Sequence, residues 1–128
     1  MLTMWNLINE NLTKDVLDGR YTMETSTDIV ESEDNVVALL DMPGVKAENV
    51  NLDINGKVLT VTGNREKVEA GEGRAVKLER ATTLTRKLLL TDKLDASSIS
   101  ATTTDGVLTI TINKKAEAKP RKIEVKAL

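Results

Sequence analysis

The sequence predicts an all-β fold, an immunoglobulin-like β-sandwich, and three observations support this prediction. Two dipeptides, Asn55-Gly56 and Asp105-Gly106, each lie between short runs in which apolar and polar residues alternate, which is typical of β-hairpins. Residues 36–42 are apolar on both sides of an extended chain, which favours a central strand. A further strand is expected at 84–90. Antiparallel hairpins that each have one apolar face pack most readily as two layered sheets.

The first hairpin is predicted from Asn55-Gly56, because a type I′ turn needs positive φ at both loop residues and Asn-Gly accepts this well. With these two residues as the loop, Leu52 is expected opposite Leu59. The apolar side chains of both strands then share one face, and the other face carries Asn, Asp and Thr. One face of this hairpin is therefore expected to pack in a core.

The second hairpin is predicted in the same way from Asp105-Gly106. With this pair as the loop, Ala101 is expected opposite Ile110, and Ile99 opposite Ile112. The other face carries Ser and Thr, so this hairpin also presents a single apolar side.

Composition excludes several classes of function. The chain has 128 residues, enough for one domain, and Phe is absent, so the core is expected to be aliphatic. The net charge of -2 gives no electrostatic basis for nucleic-acid binding. Cys and His are both absent, which removes disulfides, the usual zinc ligands and the commonest general base. We therefore expect no cofactor, no metal and no catalytic residue, and an enzyme based on a lone carboxylate is the weakest alternative.

The chain has no apolar run long enough to span a membrane. Its N-terminus lacks the basic start and continuous apolar stretch of a secretory signal. These observations predict a cytoplasmic protein that requires no membrane.

Three regions are expected: an N-terminal arm at 1–26, a sandwich domain at 27–114 with a charged excursion at 64–82, and a C-terminal extension at 115–128. Within the arm, apolar residues recur at spacings of three and four, which predicts a short amphipathic helix over 2–18. Its apolar face consists of Met1, Trp5, Ile8, Leu12 and Val16. This face either packs on its own domain or binds a partner subunit or a nonnative chain.

Two further features suggest contacts between subunits. The charged excursion is too long for a tight turn, and a short strand at 75–79 that reaches away from its own domain fits its pattern. Arg86 shares its face of the predicted strand with Leu84 and Leu88, so its charge needs a partner or an interface. The alternative is an edge position from which the side chain reaches water.

The chain ends in a short apolar motif. Ile123 and Val125 are two residues apart, so in an extended segment both side chains point the same way. Pro120 favours that extended conformation. The alternative is a frayed terminus.

Three ordered motifs resemble the small heat-shock proteins of bacterial type, the family of α-crystallin-domain chaperones. The stretch LLDMPG, residues 39–44, is similar to the family's strand that ends in Asp-Leu-Pro-Gly. ATTTDGVL, residues 101–108, matches its signature of an Ala four residues before an Asn/Asp-Gly-Val-Leu turn. The final Ile123-Glu124-Val125 matches its Ile-x-Ile/Val motif. The resemblance covers residues 27–125.

The resemblance implies particular roles for residues. The tail motif of one subunit, Ile123 and Val125, would dock in an apolar groove of another subunit. The groove would be drawn from Val50, Leu52, Ile54, Ile99 and Ala101. A dimer formed by strand exchange would use Asp28, Val30, Ala75, Val76, Leu78 and Arg86.

The implied function is that of an ATP-independent holdase, which binds nonnative client proteins through apolar surface and prevents their aggregation. The implied assembly is a homodimer that associates into larger homo-oligomers, without nucleic acid or cofactor. The alternative is a monomeric β-sandwich adaptor or co-chaperone module that binds one folded partner.

Overall fold

The structure, a computed structural model, describes residues 22–118 and 122–128, and this part of the chain is all-β, as predicted. The strands are β1 (Thr22–Glu24), β2 (Thr27–Glu31), β3 (Asn35–Asp41), β4 (Val50–Asn55), β5 (Val58–Asn64), β6 (Thr83–Leu89), β7 (Ser100–Thr104) and β8 (Val107–Asn113). Short 3-10 helices are formed by Ala47–Asn49, Ala96–Ser98 and Ala116–Ala118. The helix predicted over 2–18, with its apolar face, lies outside the described residues.

The strands form two four-stranded sheets. One sheet has the order β1-β6-β5-β4 and the other has the order β2-β3-β8-β7. Neighbouring strands are antiparallel except for β1 and β6, which are parallel. The prediction that residues 36–42 form a central strand is confirmed, because β3 lies between β2 and β8. Strands β4 and β7 are the last strands of their sheets.

The core between the sheets is aliphatic, as the composition predicts. Alternate residues of β8 show how it is built: Ile110 is fully buried, whereas Thr109 and Thr111 on the opposite face remain partly exposed. This alternation of period two places one face of each inner strand in the core. The largest fully buried side chains are Leu40, Met42, Leu59, Leu84, Ile110 and Val61.

The second hairpin has the predicted register. Ala101 lies opposite Ile110, and the two loop residues both take positive φ, 54° at Asp105 and 78° at Gly106. This is the combination that a type I′ turn requires. Ile99 precedes β7, so its expected pairing with Ile112 falls outside the strand.

The predicted register of the first hairpin is wrong by two residues. Leu52 lies opposite Val61 rather than Leu59, and the loop consists of Gly56 and Lys57. Only Gly56 takes positive φ there, at 62°, which is the pattern of a type II′ turn with Gly in its first central position. Because the shift is an even number of residues, each side chain keeps the face that was predicted for it.

Strand β1 was not predicted, and it lies within the range assigned to the arm. It pairs with β6, where Met23 lies opposite Leu84. The following residue, Thr25, donates its backbone N–H to the Thr85 carbonyl at 3.1 Å. A three-residue strand with a partner about sixty positions away leaves no periodic signal in the sequence.

Residues 65–82 form a charged loop that connects the end of β5 to the start of β6. The short strand expected at 75–79 does not form within the single chain. Most side chains of the loop are exposed, and a strand needs a neighbouring strand to satisfy its backbone groups. The ends of the loop are held together by the Arg65 N–H, which donates to the Thr82 carbonyl at 2.8 Å.

Candidate tail-binding groove and subunit surface

An apolar groove runs along the edge of the sandwich between β4 and β7, the last strands of the two sheets. Its cavity measures about 160 Å³. Three of the five residues expected to line it, Val50, Leu52 and Ala101, lie together here. The complete lining is Ala47, Val50, Leu52, Ala101, Thr102, Thr103 and Leu108.

The structure does not bring the other two expected residues into this groove. Ile54 lies next to the hairpin turn and is 42% exposed. Ile99 precedes β7 and packs against the core from its partly buried position. The groove is formed by the first half of β4 and by residues 101–103 of β7, so Ile54, near the end of β4, and Ile99, before β7, lie outside it.

Two residues that line the groove, Thr103 and Leu108, were not among those expected, although the sequence contains a signal for them. Thr103 lies opposite Leu108 in the β7–β8 ladder, and both share the face of Ala101, so the predicted register already placed them beside it. Ala47 comes from the 3-10 helix before β4, and no periodic pattern marks that position.

The groove remains open because small residues form one of its walls. Ala101 is exposed although it faces the same side as the buried Ile110. As edge strands, β4 and β7 also present backbone N–H and C=O groups on the side away from their sheet neighbours. An extended peptide could therefore add main-chain hydrogen bonds to apolar contacts in this groove.

The tail motif is accessible in the single chain. Ile123 is 85% exposed and Val125 is 91% exposed, in a segment without regular secondary structure. Neither side chain is therefore seated in the groove of its own subunit. Two large aliphatic side chains in water represent apolar area that burial elsewhere would stabilise.

Five of the six residues expected at a dimer interface lie on two separate elements. Asp28 and Val30 are exposed on β2, which is the last strand of its sheet. Ala75 and Val76 are exposed in the charged loop, and Leu78 is half-buried there. An exposed strand edge and an exposed loop of apolar residues are the two components that pairing between subunits would need.

Arg86 faces the interior side of β6, opposite Val61, and is half-buried. Its Nη1 donates to the carbonyl oxygen of Thr25 at 3.4 Å, at the point where the chain passes from one sheet to the other. The ion pairs among the described residues do not include Arg86. Its hydrogen-bond partner in the described part of the chain is therefore a backbone carbonyl rather than a carboxylate.

Surface carboxylates secure the ends of the hairpins. Lys114 lies 3.0 Å from Glu31, and its hydrogen bond and charge hold the pKa of Glu31 below the ordinary value. Lys57, 2.9 Å from Asp92, lowers the pKa of that carboxyl in the same way.

Among the described residues, no group of acidic side chains is arranged to hold a metal ion. The described residues also contain no helix that is long and apolar enough to cross a membrane.

Comparison with known proteins agrees with this geometry. The model of the Hsp20/alpha crystallin family matches residues 28–126. The chain is 36% identical over 110 residues to the 17.1 kDa class II heat shock protein of Pisum sativum, an alignment that covers 84% of this chain and 72% of that protein. It is 38% identical over 120 residues to the 18 kDa antigen 2 of Mycobacterium avium, covering 88% and 82%.

A solved structure shows the same fold. A small heat-shock protein from Xylella fastidiosa, described as having a distinct high order structure, superimposes with a TM-score of 0.62 at 28% identity. The superposition covers 80% of this chain and 96% of that chain. Since the family match spans most of the sequence and includes both groove-forming strands, the chain belongs to the Hsp20/α-crystallin family, the small heat-shock protein chaperones.

Proposed function

We propose that the protein is an ATP-independent holdase, which assembles from dimers into larger homo-oligomers and binds unfolding proteins through apolar surface. The observation that carries this proposal is the pairing of an open apolar groove with an exposed apolar tail motif in one chain. Family membership supports the chaperone role. The groove and the tail motif support the assembly.

Docking of the tail between subunits is the proposed link in the larger assembly. Ile123 and Val125 would enter the groove of a neighbouring subunit and contact Leu52 and Ala101. The dimer would form separately, by pairing of residues 75–79 with β2 of the partner subunit. Each dimer then carries two tails and two grooves, and this multivalency strengthens contacts that are individually weak.

Client binding would rely on apolar surface that becomes available when the assembly loosens. Apolar contacts are non-directional, which suits binding to many unrelated unfolding chains. They also change in strength with temperature, so the assembly can respond to heat. Such binding requires no nucleotide, nucleic acid or membrane, and a cytoplasmic location stays our prediction.

The test is suppression of aggregation. An unrelated protein is heated with a several-fold excess of subunits and without ATP, and light scattering is followed over time. We expect scattering to fall as the subunit ratio rises. If scattering is unchanged at every ratio, the holdase proposal is wrong.

A pair of variants tests the N-terminal arm in the same assay. Trp5→Ala with Ile8→Ala removes apolar area from the predicted helix face, whereas Asn6→Ala with Glu10→Ala changes its polar side. We expect only the first pair to weaken client protection while the sandwich remains folded. Equal protection by both would assign client binding to the sandwich instead.

Native mass distinguishes the holdase from the adaptor. A β-sandwich adaptor should be a monomer at all temperatures, and the proposed chaperone should be a large assembly whose mass changes on heating. Light scattering of the native protein between about 20 and 50 °C separates the two, because apolar association in this range depends on temperature.

A further inference from the structure

Three cationic side chains surround a depression at the base of the charged loop, which is distinct from the tail groove but adjoins the same 3-10 helix. The cavity measures about 180 Å³ and lies over the Pro43-Gly44 turn. It contains one carboxylate against three cations, although the chain as a whole is net negative. The residues that line it are Gly44, Lys46, Asn49, Arg65, Glu66 and Arg80.

Arg65 is held in place by the backbone. Its Nε donates to the Ala81 carbonyl at 2.6 Å, and its Nη1 donates to the Pro43 carbonyl at 3.1 Å. A guanidinium has five N–H donors, so three of them remain for other partners. Two carbonyl contacts from different segments fix the plane of the guanidinium beside the cavity.

The turn beneath the cavity brings the two arginines together. The Val45 N–H donates to the Met42 carbonyl at 3.3 Å, and Gly44 takes a φ of 80°, as in a type II turn. A Cβ at Gly44 would lie 3.5 Å from Cδ of Arg65 and 3.7 Å from Nη2 of Arg80. Both arginine side chains therefore pass alongside the same glycine.

The charges of this cluster are poorly balanced within the described chain. Burial, and then the nearby charge of Arg80, lower the pKa of Arg65. The described ion pairs include neither arginine. Glu66 lies 3.6 Å from Lys46, and both side chains are largely exposed, so this carboxylate is only a weak counter-ion.

We propose that this cavity is an oxyanion site for a phosphate group, which Arg65, Arg80 and Lys46 bind together. Guanidinium groups match phosphate oxygens through paired N–H donors, and an ammonium adds a compact positive charge. Three cations and one carboxylate leave a net charge of about +2, which complements the roughly −1.5 to −2 of a phosphate ester at neutral pH. The bound group is either free phosphate or the phosphate of a small ester.

Binding at this site would connect the two ends of the charged loop. Arg65 begins the loop, and Arg80 lies near its end, so a shared ligand would restrict the segment between them. The same segment contains residues 75–79, and any effect on the dimer therefore rests on the proposed strand exchange. The binding itself does not depend on that proposal.

The direct test is calorimetric titration of the intact protein with inorganic phosphate or glycerol phosphate at constant pH and ionic strength. We expect saturable binding at one site per subunit, and comparison of the two probes identifies the preferred source. Arg80→Gln should weaken binding about ten- to a hundredfold, the fold-change expected for loss of a charged hydrogen bond. Arg80→Lys should retain part of the affinity.

Arg74→Gln is the matched control, because it removes one arginine from the exposed middle of the same loop. It should leave the affinity unchanged. Equal weakening by both variants, or binding that does not saturate, would mean non-specific ion association and would overturn the site. The dimer is measured separately by sedimentation with and without phosphate. Saturable binding with an unchanged dimer would support the site and overturn its coupling to the loop.

Discussion

Met42 and Gly63 pack against each other between the two sheets, so closely that a Cβ on Gly63 would lie 2.7 Å from Sδ of Met42. Two methyl carbons of Val45 would lie 3.1 and 3.3 Å from the same Cβ. Met42 and Val45 are both buried, so neither can move freely into solvent. Glycine near the end of β5 is required here by this close approach.

Gly63→Ala should destabilise the fold by about 1–3 kcal/mol, the usual cost of forcing extra atoms into a well-packed core. Denaturant unfolding followed by circular dichroism, at fixed protein concentration, measures the change. A double-mutant cycle with Met42→Ala identifies the cause, because removing the thioether should relieve the clash. If the changes in the free energy of unfolding caused by the two substitutions are additive, the contact with Met42 is not the cause of the destabilisation.

Arg86→Met should loosen the proposed dimer. If a carboxylate of the partner subunit is buried against Arg86, removal of the guanidinium leaves that charge unpaired, at a cost of about 3–5 kcal/mol. Sedimentation at several concentrations should show a weaker dimer or a disperse assembly. Lys87→Met removes the same charge from the outer face of the same strand and should have little effect. If the two variants give the same assembly, Arg86 does not stabilise the dimer, and its role is limited to the hydrogen bond with the Thr25 carbonyl.

Glu31→Gln should reduce stability at neutral pH but not in strong acid. The pKa of Glu31 is lowered in the folded protein by Lys114, whose side chain is only 12% exposed. The unfolded chain therefore binds more protons than the folded chain near pH 4.5, the ordinary value for this carboxyl. Its stabilising contribution is present above that pH and is lost as the pH falls through the lowered value.

Thermal unfolding of Glu31→Gln and of the parent protein between pH 7 and pH 2 checks this prediction. The difference in midpoint should be small, since one partner is exposed, and it should disappear at the acid end. Glu33→Gln removes the same charge from the adjacent turn and serves as the control. A difference that persists unchanged at pH 2 would assign the effect to packing of the side chain rather than to its charge.

The hairpins show how far the sequence predicts local geometry. Asp105-Gly106 forms the predicted loop because both residues take positive φ. Asn55-Gly56 does not, because Gly56 with Lys57 satisfies a type II′ turn that needs only one such residue. Both registers keep the alternating apolar residues on the inner face. The sequence therefore predicts the faces more reliably than it predicts the loop residues.

The sequence did not predict the contacts between segments that are far apart in the chain. The three-residue β1 depends on β6, and the cluster of Arg65 with Arg80 depends on how the two ends of the charged loop approach Gly44. Neither has a periodic signal, because each requires the tertiary fold to bring separate segments together. The groove was partly predicted from the family resemblance, which named Val50, Leu52 and Ala101, and strand parity is consistent with the inward placement of Leu52 and Ala101.

The tail motif should connect dimers into the larger assembly. Burying Ile123 and Val125 could each contribute roughly 1.5–3 kcal/mol. The sum, about 3–6 kcal/mol, must offset the ordering of the tail and the loss of rigid-body freedom, which cost at least ~4 kcal/mol. A single docked tail should thus bind weakly, on the order of millimolar or poorer. Two tails on one dimer act at a high effective concentration and can sustain an assembly that still exchanges subunits.

Ile123→Ala with Val125→Ala should therefore leave the dimer intact and abolish larger species, as measured by light scattering of the native protein. Leu128→Ala removes an exposed aliphatic side chain outside the motif and should leave the mass unchanged. Ala101→Phe tests the groove independently, because its ring would fill the space between β4 and β7 and should reproduce the loss with the tail unaltered. If the double variant keeps its full native mass, the tail is not the link. The N-terminal arm then becomes the better candidate, and Trp5→Ala with Ile8→Ala should reduce the mass instead.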